Sequence, residues 1–272
     1  MNRLMQWVMA AALICGASVF SSCSKDDNPV DPADKLSEKI IGKWMQFEID
    51  GRLALTNEKS ATTFVSDTKA YFSASKINHS KTSQKWNDNR EYEVKIDGNK
   101  VTLTSKVNEN VTLVNEFIIS SINETEMNCI YKHVTIRNGK EDVSVESSNR
   151  CYKKISRDFS EVVLGTWEGH VTNSEGSVYD DGETHRWEYK ADGTYVYYVK
   201  DGDNWVPYAT TTLSEYFVDG VLLCTRWIDN DVENREWWEI ASIKDGVMKW
   251  KALRQKEDGT TYTATFEMKK VE

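Results

Sequence analysis

The chain predicts an all-β protein made of two tandem copies of one small antiparallel β domain behind a removable leader. Three observations carry this. Gly42-Lys43-Trp44 is echoed by Gly165-Thr166-Trp167, and each triplet follows a short apolar lead-in, Ile40-Ile41 or Val162-Val163-Leu164. Each triplet then opens a run of short alternating segments broken by Asp-Gly or Asn-Gly turns. Further anchors recur in order. Trp44 matches Trp167 at an offset of 123, Asp97-Gly98 matches Asp219-Gly220 at 122, and Ser121-Ile122 and Met127 match Ser242-Ile243 and Met248 at 121. Lys153-Lys154 matches Lys269-Lys270 at 116. An offset that drifts slowly while the order holds is what loop-length changes leave between duplicated domains.

Length and composition agree. At 272 residues the chain suits one or two domains, and the duplication selects two, 36–155 and 160–272. With 39% hydrophobic residues a core is sustainable, and 3 Pro and 14 Gly argue against low complexity. The 10 Trp and 12 Tyr suit strands and aromatic-lined cavities. The formal charge is −9, and loss of Arg3 with the leader makes the mature chain one unit more negative. Such a surface repels phosphate backbones, so nucleic acid is not an expected partner.

Residues 1–22 have the layout of a secretory signal: Arg3, a mostly apolar run from Leu4 to Phe20, then small Ser21 and Ser22 before Cys23. The run contains Gln6 and falls short of the ~20 residues of a spanning helix. Phe20-Ser21-Ser22-Cys23 resembles a bacterial lipobox with the looser residue choice of Bacteroidota lipoproteins. The resemblance implies cleavage before Cys23, a thioether-linked diacylglycerol on its sulfur and an acylated amino group. Two or three acyl chains anchor stably where one does not. Cys15 is the rival, but the bulky Ile14 precedes it. Ser24, Lys25, Asp26 and Asp27 resemble the export signal that sends such lipoproteins to the outer face of the outer membrane. Read as plain chemistry, they begin a solvated tether, 23–35, that contains Pro29 and Pro32.

Beyond the tether, Leu36 to Ile41 predicts a short helical turn capped by Asp34. Strand follows from Trp44 to Ile49, while the polar stretch 56–70 gives no firm assignment. Tyr92, Val94 and Ile96 alternate with Glu91, Glu93 and Lys95 as a half-buried strand, turned by Asp97-Gly98-Asn99 into Val101 and Leu103. Strands at Val111–Ile119 and Met127–Ile136 follow, and Asn138-Gly139 turns the chain into Val143–Tyr152. The connector 156–161 is short, so the two copies should sit close together. In the second copy Trp187 and Tyr189 lead through Asp192-Gly193 into Tyr195–Val199. Leu213–Val218, Val221–Ile228, Glu236–Ile243, Val247–Leu253 and Tyr262–Met268 complete the set.

About 115 residues per copy, many short strands and a Gly-x-Trp at the first of them resemble the lipocalin superfamily. More closely, they resemble the lipocalin-like domains of Bacteroidota lipoproteins. The resemblance implies two tandem up-and-down barrels of about eight strands, each able to hold one small ligand. It places Gly42, Trp44, Gly165 and Trp167 at the closed ends. The chain departs from the family in having no Thr-Asp-x-x-Tyr-like second motif and no C-terminal helix.

Candidate chemistry is sparse. Cys129 and Cys151 fall on strands joined through the Asn138-Gly139 turn, opposite or one step apart, as a disulfide or as two unpaired thiols. Cys224 fits a small core residue. His170, His185, Glu168, Glu183, Asp180 and Asp181 match no ligand spacing, so neither a metal nor a cofactor is expected. With 43 Asp and Glu, no acid pair stands out, and no nucleophile or phosphate-loop motif is present, so no catalysis is expected. The uneven feature is tryptophan. The second copy holds Trp187, Trp205, Trp227, Trp237, Trp238 and Trp250 besides Trp167, and neighbours Trp237 and Trp238 must face opposite ways on a strand.

The expectation is therefore a non-enzymatic lipoprotein, anchored to the outer membrane and exposed at the cell surface, that binds a small apolar or amphipathic ligand. Two alternatives stay open: a glycan binder using exposed Trp and Tyr of the second copy, and a structural envelope protein with filled barrels. Nothing in the sequence sets an oligomeric state.

Overall fold

The computed structural model describes residues 32–74, 89–142, 146–173, 182–209 and 211–271, all inside one compact unit, Asp31–Glu272. The leader 1–22, Cys23, Ser24, Lys25, Asp26, Asp27, Trp86, Asp180 and Asp181 lie outside the described residues.

Helix α1 (Pro32–Lys39) comes first. It begins earlier than the sequence suggests, because the fixed φ of Pro32 suits the first helical position. Asp34 therefore sits in the first turn, not at the cap. The helix seats Leu36 in the first core, and Ile40 follows it there with no exposed surface.

The first sheet comprises β1 (Gly42–Ile49), β2 (Arg52–Leu53), β3 (Ser60–Phe64), β4 (Lys69–Ala74), β5 (Asn89–Asp97), β6 (Lys100–Asn108), β7 (Val111–Ile122), β8 (Glu126–Arg137), β9 (Lys140–Glu141) and β10 (Glu146–Ile155). Each main strand pairs antiparallel with its sequence neighbour, and β10 pairs with both β8 and β1. That double pairing closes an eight-stranded up-and-down barrel and removes its sheet edges. The stretch that gave no assignment holds a 3₁₀ turn (Thr56–Glu58), then β3 and the start of β4. Its polar residues hid it, since Lys59, Ser60 and Thr62 are all buried.

The second sheet comprises β11 (Gly165–Asn173), β12 (His185–Tyr189), β13 (Tyr195–Asp201), β14 (Asn204–Pro207), β15 (Thr211–Asp219), β16 (Leu222–Asp229), β17 (Val232–Lys244), β18 (Val247–Gln255) and β19 (Thr261–Val271). It curls in the order β14-β13-β12-β11-β19-β18-β17-β16-β15 and is not closed by a full ladder. The matched anchors occupy equivalent places in the two sheets. Asp97-Gly98 turns β5 into β6 and Asp219-Gly220 turns β15 into β16, while Met127 and Met248 begin β8 and β18 with no exposed surface.

The Gly-x-Trp triplet does the same work twice. The indole of Trp44 donates to the carbonyl of Ile40 at 2.7 Å, and that of Trp167 donates to Val163 at 2.7 Å. Both rings are buried at the bases of their cores. The glycines sit at φ +122° and +108°, a region closed to most side chains. A Cβ on Gly42 would lie 2.7 Å from Lys154 Cε, and one on Gly165 would lie 3.0 Å from Lys270 Cε. Those two lysines belong to the repeated Lys-Lys anchor. Their ammonium groups stand 5.1 Å from the Trp44 ring and 5.3 Å from the Trp167 ring.

Cys129 and Cys151 do not form a disulfide; both are free and buried. In the β8–β10 register Cys129 pairs with Arg150 and Cys151 with Asn128, a one-step offset. Neighbouring positions on a strand point to opposite faces, so Cys129 lies in the barrel core while Cys151 faces out. Burial pushes the Cys129 thiol up to about 12.

Polar groups join the two sheets. Lys59 pairs with Glu239 and Lys43 with Asp219. The Leu253 N–H donates to Thr56 Oγ1 at 2.8 Å. Burial outweighs the attraction of Glu239 and holds the Lys59 ammonium below the usual lysine range.

Trp167→Phe trims the buried ring and strands the buried Val163 carbonyl. The expected loss is about 1–3 kcal/mol, read as a lower midpoint in urea unfolding; an unchanged midpoint would show that the indole bond contributes nothing.

Candidate ligand cavity of the second barrel

Among the described residues a cavity opens in the second sheet, while aromatic rings pack together in the core of the first. In the first, Phe64, Phe117, Tyr131 and Tyr152 pack edge to face around Phe117 with centroids 5.3–6.2 Å apart. Above them Asn115 Oδ1 accepts from the Tyr131 hydroxyl at 2.6 Å and meets His133 Nδ1 at 2.7 Å. Arg150 lies 3.8 Å over the Tyr131 ring and donates to Gln46 Oε1 at 2.6 Å.

The second sheet departs from this at one seam. In the first barrel β4 and β5 pair from Lys69–Glu93 to Ser73–Asn89. Their counterparts β13 and β15 meet at one bridge, Thr194–Glu215, backed by Tyr216 N–H donating to Gly193 O at 2.8 Å. The Tyr216 hydroxyl also donates to Lys190 O, at 2.7 Å. Beyond this, the edge of β13 pairs instead with β14, from Tyr198–Pro207 to Asp201–Asn204. A two-residue turn folds β14 back where β15 would have bonded, and the barrel stays open along that line.

A cavity of about 220 Å³ runs from this seam into the core. Strand alternation supplies its wall. Trp187 and Tyr189 come from β12, Tyr195 and Tyr197 from β13, Thr211 and Ser214 from β15, Thr225 and Trp227 from β16, Glu236 and Trp238 from β17, and Trp250 from β18. Tyr208, 40% exposed, stands at the seam. Tyr195 on one side of the seam shares a hydrogen bond with Ser214 on the other. The rings lock one another: Trp187 to Trp250 at 5.4 Å, Trp238 to Trp250 at 5.5 Å and Trp187 to Tyr197 at 5.3 Å. His185 backs the wall, bonded to the Tyr197 hydroxyl at 2.9 Å.

Two polar features stand out. Glu236, the lining carboxylate, accepts from Arg254 Nη2 at 2.6 Å, and the Arg254 guanidinium lies 4.4 Å over the Trp238 ring. At the repeat offset of 121, Glu236 and Arg254 stand where the first barrel has Asn115 and His133, which also touch. Then the Tyr189 hydroxyl and Trp250 Nε1 are buried with no protein hydrogen-bond partner. Burial holds the Tyr189 phenol well above the usual tyrosine range, so it stays a donor at physiological pH. Burial, and then the Glu236 charge, raise Tyr195 likewise.

Of the six tryptophans singled out in the sequence, Trp187, Trp227, Trp238 and Trp250 line the cavity. Trp237 faces the other way, against Leu222, Cys224 and Phe217. Trp205 on β14 lies between Arg186 at 4.6 Å and Lys200 at 5.4 Å. Sequence reasoning missed the four tyrosines, the three hydroxyl residues and Glu236. A signal for Glu236 existed: on a strand whose Trp238 faces in, it holds an inward position that a lone charge does not occupy without a partner. Among the described residues no group of three His, Cys, Asp or Glu is placed to hold a metal.

No family model matches the chain, and no curated protein matches it. Solved structures do. A transferrin-binding protein B vaccine antigen from Haemophilus parasuis aligns over 68% of this chain with 10% identity and a TM-score of 0.21. The chain spans 40% of that protein's length. A protein of unknown function of the DUF3598 family from Nostoc punctiforme aligns over 90% of this chain and all of its own, with 8% identity and a TM-score of 0.22. At these scores the superposition does not hold over a whole fold, and neither protein's ligand carries over.

Arg254→Met removes one member of the ion pair and leaves the Glu236 carboxylate in an aromatic wall. Breaking a buried pair costs roughly 3–5 kcal/mol; with side chains 14% and 22% exposed, the expected loss in urea unfolding lies at or below the lower end. Adding Glu236→Gln should recover part of it, and no recovery would show that Arg254 acts through packing alone.

Proposed function

We propose that the protein is a non-enzymatic lipoprotein of the outer membrane, held by acyl chains on Cys23, whose second barrel binds a small amphipathic molecule. The observation that carries the binding reading is a cavity of about 220 Å³, walled by aromatic and hydroxyl side chains, that opens at the β13–β15 seam. The cavity exceeds the ~150 Å³ that holds a benzene and falls below the ~300–1,000 Å³ of drug-sized pockets, so the ligand is about one ring in size.

A structural role fits the first barrel, whose interior is occupied by its own rings and the Asn115–His133–Arg150 cluster. It is the mount and the second barrel is the site. A flat row of exposed tryptophans has little support: the large exposed hydrophobics among the described residues include Tyr208 but no tryptophan. Among the described residues Glu236 is the one carboxylate of the cavity wall, and it is held by Arg254, so paired-carboxylate catalysis has no support there.

Anchoring is tested in cells. Cys23→Ala should abolish incorporation of labelled acyl chains and move the protein out of the outer-membrane fraction; retention in that fraction would reject the lipid anchor.

Binding is tested by calorimetric melting of the mature protein. A bound ligand at 100 times its dissociation constant adds about 2.7 kcal/mol. One-ring amphiphiles should raise the melting temperature, whereas long-chain fatty acids and sterol-sized compounds should not. Stabilisation by the large compounds alone would overturn the assignment to this cavity.

A further inference from the structure

The part of the cavity that a ligand can reach is smaller than its lining, and its chemistry selects a charge; this rests on the binding role proposed above. Trp187, Trp238 and Trp250 pack on one another and are almost wholly buried, so they hold the wall and do not meet a ligand. The lining rings left with open surface are Tyr208, 40% exposed, and the partly buried Tyr197 and Trp227. Tyr197 and Tyr208 meet at 6.0 Å and 60°, a corner of two rings on the β13 side of the seam. Trp227 stands on the other side, on β16, opposite Ser214 of β15 in the strand register. Rings therefore flank the mouth from both sides, with the hydroxyls of Thr211 and Ser214 beside them.

An aromatic face is the negative side of the ring quadrupole and attracts cations. The wall already uses that attraction once, in the Arg254 guanidinium 4.4 Å over the Trp238 ring. Among the described residues the one charged group of the lining is a carboxylate, Glu236. After burial, its charge is the next cause that raises Tyr195, so it is felt across the cavity. The chain as a whole carries −9, and that field draws cations and repels anions. The kind of cation follows from the acceptors. Glu236 already accepts from Arg254, so a primary ammonium would give up its hydration without three acceptors in exchange. A quaternary ammonium has no N–H to satisfy and is recognised by aromatic faces. A trimethylammonium head has about the bulk of benzene, for which ~150 Å³ suffices. A cavity of about 220 Å³ holds it with a short polar arm.

We propose that the mouth of the cavity binds a quaternary ammonium group, caged by Tyr197, Tyr208 and Trp227 and backed by Glu236. A polar arm on the ligand meets Thr211 and Ser214. The group enters at the β13–β15 seam, carried either by a small free solute or by a choline lipid head group.

The test is titration of the full mature protein, by tryptophan fluorescence and calorimetry, with tetramethylammonium and choline. The uncharged comparators are indole and the carbon isostere of choline, in which a quaternary carbon replaces the nitrogen. Saturable choline binding about tenfold tighter than that of the isostere supports the proposal. Tyr208→Leu should weaken choline about threefold and Trp227→Leu about tenfold, while Trp227→Phe, which keeps an aromatic face, should retain most of the affinity. Tyr208 is exposed, so its replacement leaves the fold intact even where a change at Trp227 does not. Vesicles separate the two sources, using the mature chain without its acyl groups. Capture by phosphatidylcholine but not phosphatidylethanolamine vesicles, reversed by free choline, assigns a lipid head group; choline binding without capture assigns a free solute. Choline binding that neither leucine variant weakens overturns the site. Binding of the isostere or indole as tight as that of choline overturns the selection for charge while leaving the cavity a binding site. Silence from every probe overturns the binding role as well.

Discussion

Both barrels depend on one small assembly: an indole N–H that closes on a carbonyl four residues back, a glycine that lets the chain turn at positive φ, and a lysine laid across the two. Trp44, Gly42 and Lys154 build it in the first copy, and Trp167, Gly165 and Lys270 in the second. The bond ties the apolar lead-in to the base of the barrel, so Ile40 and Val163 plug the core with no exposed surface. The Trp44–Lys154 and Trp167–Lys270 pairs also lie in the ladders that join first strand to last. Closure and plugging are thus set by the same residues. That explains why these anchors persist in both copies while the loops between them drift.

Above that base the copies diverge, and the divergence is one of filling. Where the first barrel has Phe117 and Cys129 the second has Trp238 and Trp250, at the same offset that relates Met127 to Met248. The β13–β14 hairpin then takes the edge that β15 would need, so the seam cannot zip shut. At one inward pair of positions, Asn115 with His133 becomes Glu236 with Arg254. A side-chain hydrogen bond in the first core has its counterpart in an ion pair at the cavity wall of the second.

The contact between the barrels has a different character from either core. Lys59, Thr56 and Lys43 reach from the first barrel to Glu239, Leu253 and Asp219 of the second. Lys59 and Glu239 are almost fully enclosed, and an enclosed pair fixes orientation more than it adds stability.

The sequence by itself determined the duplication, the Gly-x-Trp bases and most strand faces. Tyr92 and Val94, or Ala264, Phe266 and Met268, face inward as their two-residue period requires. Opposite orientations for Trp237 and Trp238 follow from the same rule and are found. Period is a local property, carried by neighbours along the chain. Three things were decided only in three dimensions. Whether Cys129 and Cys151 could bond turned on a one-residue register between distant strands. The seam turned on which of two strands reached the β13 edge. Glu236 could face inward only because Arg254 arrives from β18 to meet its charge. Each is a pairing between segments far apart in sequence, and no local pattern encodes which partner arrives.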